Sequence, residues 1–158
     1  MSDEHTHLDQ NLGELTKLVP HPITLQNNSN EQLFASDSVW CANCTIAEPT
    51  IIQGINGGKY ALWTIEFETV RGARFKIRKR YNDFDELRNK LEKYTGKTEL
   101  PKFPPRSGLF QDRFDPAFLE SRRKSLEYWL SSVVLNPAIC CRKEVKEFVL
   151  GKKLISEN

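Results

Sequence analysis

Long apolar runs are missing from this 158-residue chain. The longest are a few residues, as at Val133, Val134 and Leu135, where a bilayer-spanning helix needs about 20. Histidine is scarce: His5, His7 and His21 all fall in the polar first part of the chain, so no nucleophile–base constellation can be drawn and a non-enzymatic protein is expected. No G-x-x-x-x-G-K-[ST] loop is present, which removes the commonest nucleotide site. Cys41 and Cys44 form one C-x-x-C, but Cys140 and Cys141 are adjacent and cannot complete a four-thiolate zinc site. A redox pair prefers a helix N-terminus, whereas Val39 to Ile46 reads as a strand. Four reduced, partly buried thiols are expected, with no metal and no cofactor. The N-terminal MSDEH is acidic where a secretory signal is basic and then apolar, and Ser2 stands where myristoylation needs glycine. A cytosolic protein is the expectation.

What is present is charge, unevenly placed. Residues 1–48 hold seven acids against Lys17 alone, a net of −6. From Arg71 to Arg106 there are twelve Lys/Arg against five Asp/Glu, a net of +7. An acidic tail preceding a basic segment points to an anionic partner, a membrane surface or nucleic acid. Exposed aromatics for base stacking do not interleave the basic run from Arg71 to Lys79, which argues against nucleic acid.

Residues 1–35 are too polar to offset the entropy of ordering and read as a disordered tail. Its exception is a short apolar island around Pro20 and Pro22, from Leu15 to Leu25. Residues 36–153 read as one domain and 154–158 as a C-terminal tail. Val39 to Glu48 is expected as a first strand ended by Pro49, followed by a loop. Lys59 to Val70 is a second strand, with Ala61, Trp63, Ile65 and Phe67 on its buried face. After a turn at Arg71, Gly72 and Ala73, Arg74 to Arg80 is a third strand with Phe75 and Ile77 inward. Asn82 or Asp83 caps a helix with Phe84, Leu87, Leu91 and Tyr94 on its apolar face, ended by Gly96. Leu100 to Arg106 (LPKFPPR) has three prolines and is expected as an extended loop. Asp115 and Pro116 start a long helix reaching about Leu135, burying Leu119, Leu126, Leu130 and Val133. Lys143 to Leu150 is a last helix, burying Val145, Phe148 and Val149. The expected class is α+β: a three-stranded antiparallel β-meander packed against a helical subdomain with a proline-rich loop.

Four residues stand at restrictive places. Arg80 and Tyr81 meet where the third strand gives way to a helix, whose N-terminus itself attracts anions. A guanidinium there can donate two parallel hydrogen bonds to one phosphate, beside a flat aromatic platform. Arg106 closes the rigid proline loop. Arg122 falls among the buried positions of the long helix and needs a partner, either a bound anion or hydroxyls, or a carboxylate such as Glu120 or Glu127.

The runs RKRYNDF (78–84), LPKFPPR (100–106) and FLESRRKSLEYWL (118–130) resemble, in order and spacing, the three signature blocks of the PX (phox homology) domain. The resemblance implies a pocket between sheet and helices for a phosphoinositide, most often phosphatidylinositol 3-phosphate. It implies Arg80 on the 3-phosphate, Tyr81 under the inositol ring, Arg106 on the 1-phosphate in place of the family's usual lysine, and Arg122 on the 4- and 5-hydroxyls. Leu109 and Phe110 are the apolar pair expected either to dip into lipid or, in the case of Phe110, to cover the domain's own core. Leu18, Pro20, Pro22, Ile23 and Leu25 are similar to the Pro-x-Pro motif by which fungal endosomal and vacuolar PX adaptors dock a large bridge-like lipid-transfer protein at contact sites. Cys44 to Ile46 (CTI) and Leu126 to Tyr128 (LEY) add to that likeness. The function expected is thus a phosphoinositide-binding adaptor peripheral to endosomal and vacuolar membranes. The alternatives are a sorting-nexin-like trafficking protein, or an interaction module using Pro101 to Arg106 (P-x-x-P-x-R) as an SH3 ligand.

Overall fold

A computed structural model describes residues 38–95 and 100–151. The tail with Leu18, Pro20, Pro22, Ile23 and Leu25 lies outside them, as does Gly96.

The sheet is organised by one long strand. Strand β3 (Lys59–Thr69) buries Trp63, Ile65 and Phe67 completely on one face, the outcome of its strict alternation. Strand β4 (Arg74–Arg80) pairs antiparallel along one side, from Leu62 opposite Arg80 to Glu68 opposite Arg74. Gly72, at φ 84°, makes the connecting turn possible. The other side of β3 carries two strands end to end: β1 (Cys41–Ile46) opposite Ile65 to Thr69, and β2 (Thr50–Gln53) opposite Lys59 to Leu62.

Strand β2 corrects the sequence reading, which places a loop there. It buries neither face, and its Ile51 is 42% exposed. Backbone pairing to β3 holds it without the apolar alternation that sequence patterns detect. The sheet is therefore four-stranded yet only three strands wide, because Pro49 interrupts one edge. A register shift between Cys41 and Asn43 lets Cys41 and Cys44, three residues apart, both reach the core. Burial pushes the Cys41 thiol up to about 11 and the Cys44 thiol further in the same direction, so both are inert at neutral pH.

Helix α1 (Tyr81–Thr95) follows β4 without a break. Asp83 Oδ2 accepts the backbone N–H of Arg80 at 2.8 Å, closing the helix start as the third residue of a capping box does. Tyr94, expected on its apolar face, is instead 58% exposed, with the Arg142 guanidinium 3.9 Å from its ring centroid. Asp115 caps helix α2 (Pro116–Val134) by accepting from Phe118 N at 3.1 Å. Helix α3 (Lys143–Leu150) packs on α1 and buries Val145, Phe148 and Val149.

Helix α2 lies along β1 and occupies its free edge. Glu127 Oε2 accepts from Ile46 N at 2.7 Å, Arg123 Nη1 donates to Ile46 O at 2.9 Å, and Ser131 Oγ donates to Cys44 O at 3.3 Å. Side chains here stand where a neighbouring strand's backbone would, which blocks edge-to-edge pairing.

Candidate anion-binding site

The four residues singled out from the sequence converge. Arg80, Tyr81, Arg106 and Arg122 all line one cavity of about 370 Å³ where the end of the sheet meets α1, the proline loop and α2. None of the residues lining it is acidic.

Arg80 is the last residue of β4, directly opposite Leu62. Its guanidinium lies 3.7 Å from the ring centroid of Tyr60, two residues before Leu62 on the same face of β3. This stack fixes the fork while leaving its N–H edge free for an anion.

Tyr81 braces the proline loop. Its hydroxyl donates to Pro104 O at 2.6 Å, and its ring packs on Phe103 at 5.6 Å between centroids. One face of the ring is taken by the Arg122 guanidinium at 4.0 Å. Burial pushes the Tyr81 phenol up, so it stays a protonated donor.

Arg122 also stacks on Phe118 at 4.6 Å and donates to Pro105 O at 2.6 Å. Burial lowers its pKa from the usual guanidinium value, far too little to neutralise an arginine. Glu120 and Glu127, the carboxylates weighed as partners for it, pair instead with the next residue, Arg123, at 2.8 and 3.2 Å.

Arg106 is held from behind. Its Nη2 lies 2.8 Å from Oδ2 of Asp85, a buried carboxylate only 4% exposed that also accepts Arg88 Nε at 3.1 Å. Burial works to raise the Asp85 pKa, but hydrogen bonds from Arg88 and Arg106 outweigh it and hold the carboxyl below its ordinary value. The Arg106 side chain remains 72% exposed.

These bonds decide the standing of the proline loop as an SH3 ligand. Pro104 is buried, Phe103 packs against the core and edge-on to Trp129, and the carbonyls of Pro104 and Pro105 are taken. The loop cannot present its proline ridge to a partner without leaving the domain, so that reading is corrected.

Beyond the loop, Gln111 N donates to Gly108 O at 3.1 Å and a turn projects Leu109 and Phe110, 99% and 102% exposed. Phe110 does not cover the core. Sequence reasoning missed Ile55, 105% exposed in the β2–β3 turn. It also missed Tyr60, Asp85 and Arg113, whose importance comes from cross-chain geometry. Arg113 Nη2 reaches Lys59 O at 3.4 Å, linking the segment after Phe110 to the start of β3.

Residues 68–151 match the family model described as "PX domain". The chain is similar to the Endosomal/vacuolar adapter protein YPT35 of Meyerozyma guilliermondii, with 33% identity over 142 residues that cover 87% of this chain and 94% of that protein. Among solved structures, a designed CISK-PX domain superposes with a TM-score of 0.60 at 24% identity, over 67% of this chain and 96% of the other. The mouse SNX19 PX domain with bound sulphate ion gives a TM-score of 0.51 at 26% identity, over 67% and 92%.

Proposed function

Because the chain belongs to the PX domain family, we propose that it is a peripheral adaptor of endosomal and vacuolar membranes that holds a phosphoinositide head group, phosphatidylinositol 3-phosphate foremost, in the cavity between sheet and helices. One observation carries the reading: guanidinium groups from β4, the proline loop and α2 meet around a cavity with no acidic residue in its lining. Gathering like charges this way is costly unless an anion joins them. A sulphate ion, which mimics phosphate in charge and shape, accompanies the SNX19 PX domain.

Each guanidinium has one job in this reading. Arg80, stacked and with its fork free, takes the 3-phosphate. Arg106, exposed at the loop, takes the 1-phosphate. Arg122, already committed to Pro105 O and two rings, has donors left for the neighbouring ring hydroxyls. Tyr81 keeps loop and helix in register under the ring. Leu109 and Phe110 enter the lipid, each adding roughly 1.5–3 kcal/mol of apolar burial.

Adaptor function needs a second contact. The likeness to the fungal adapter covers 87% of this chain, more than residues 68–151. The Pro-x-Pro island of Leu18, Pro20, Pro22, Ile23 and Leu25 supplies that contact, docking a large bridge-like lipid-transfer protein as an extended segment on a sheet edge. The sheet and tail thus divide the work between membrane address and cargo.

Flotation of the full chain with phosphatidylcholine vesicles tests the lipid reading. Vesicles with phosphatidylinositol 3-phosphate should carry the protein up the gradient and plain vesicles should not, and Arg80→Ala should remain at the bottom. Flotation of Arg80→Ala at the unmutated level would overturn the site.

A further inference from the structure

Three guanidinium groups have roles in the proposed head-group site, and a fourth on the same cavity has none. Arg113 lies in the exposed segment between Phe110 and the Asp115 cap of α2, yet it lines the cavity with Arg80, Arg106 and Arg122. Its contacts are the long hydrogen bond to Lys59 O at 3.4 Å and the Phe114 ring at 5.1 Å. Among the described residues no carboxylate pairs with it, whereas Arg74, Arg88 and Arg123 are each paired.

Position gives Arg113 its meaning. The bond to Lys59 places it between the β2–β3 turn bearing Ile55 and the turn bearing Leu109 and Phe110, three apolar side chains with essentially full exposure. If those turns meet lipid, Arg113 stands at the level of the lipid phosphates.

Resting on the phosphoinositide reading above, we infer that Arg113 is a second phosphate-binding residue. Its ligand is an oxyanion distinct from the one on Arg80, provided by another phosphate on the inositol ring or by the phosphate of a neighbouring anionic lipid. The planar fork of arginine suits either source.

The test compares the unmutated full chain with Arg113→Ala and Arg113→Lys on four probes. These are vesicles with phosphatidylinositol 3-phosphate alone, the same with added phosphatidylserine, vesicles with a bisphosphorylated phosphoinositide, and soluble inositol 1,3-bisphosphate. Arg113→Ala should match the unmutated chain within about twofold on the first and last probes. It should lose about tenfold, the scale of one charge-assisted hydrogen bond, on one of the other two, with partial rescue by Arg113→Lys. A loss on the bisphosphorylated lipid assigns the second phosphate to the ring, and a loss with phosphatidylserine assigns it to a neighbour. Equal binding by variant and unmutated chain on all four probes overturns the inference while leaving the head-group reading standing. Absence of any phosphoinositide binding by the unmutated chain overturns both.

Discussion

Asp85 shows how one buried carboxylate positions an arginine of a cavity it does not line. It is wedged between Arg88 and Arg106 and holds Arg106, and with it the end of the proline loop, against α1. Asp85→Asn keeps the shape but removes the charge that both guanidinium groups face. Unfolding in urea should show a loss of about 1.5–3 kcal/mol, the range for hydrogen bonds to charged groups. The pH dependence has a definite sign. The folded Asp85 pKa lies below its unfolded value, so its contribution is fully present above about pH 4 and is lost as pH falls through the folded value. Urea midpoints at pH 7, 5 and 3 should be level for this group down to pH 5 and fall by pH 3, with the fall reduced in Asp85→Asn. Sequence reasoning reached Arg80, Tyr81, Arg106 and Arg122 because the types and places of those residues are restrictive one by one. It missed Asp85 because an acid in a helical pattern reads as solvated surface, and only its partner 21 residues away explains its burial.

At the scale of elements, the join between α2 and β1 is where local sequence signals give out. Helix α2 is legible from its Asp115–Pro116 start and its apolar spacing, and β3 from its alternation. That Arg123 and Glu127 would bind the backbone of Ile46 is a fact about two elements about 80 residues apart. The same absence of a local signal hid β2, whose pairing needs backbone alone. Glu127→Ala leaves the Ile46 N–H without its acceptor and exposes the sheet edge. A destabilisation of about 1–3 kcal/mol is expected, read as a lower urea midpoint, together with faster hydrogen exchange at Ile46. An unchanged midpoint would mean that water replaces the carboxylate at no cost.

Across the whole molecule, the uneven charge, the cavity and the exposed turns point one way. Guanidinium groups and no acidic residue line the cavity, Leu109 and Phe110 project from the turn just beyond its lining residue Ser107, and the acidic tail bears the island proposed to dock a partner. These functions should separate. Leu109→Ser with Phe110→Ser should weaken vesicle binding by tenfold or more, by apolar burial of about 1.5–3 kcal/mol per side chain, while leaving soluble inositol 1,3-bisphosphate binding unchanged. Pro20→Ala with Pro22→Ala should abolish capture of the lipid-transfer protein on vesicles without altering flotation. The central claim is that separate stretches of chain gather around one phosphorylated ring. Side-chain NMR of the arginine Nε–H groups during titration with short-chain phosphatidylinositol 3-phosphate tests it most directly. Shifts at Arg80, Arg106 and Arg122 that saturate together, with Arg74 and Arg78 on the outer sheet face unmoved, are predicted. Shifts confined to Arg74 and Arg78, with the cavity arginines silent, would contradict it.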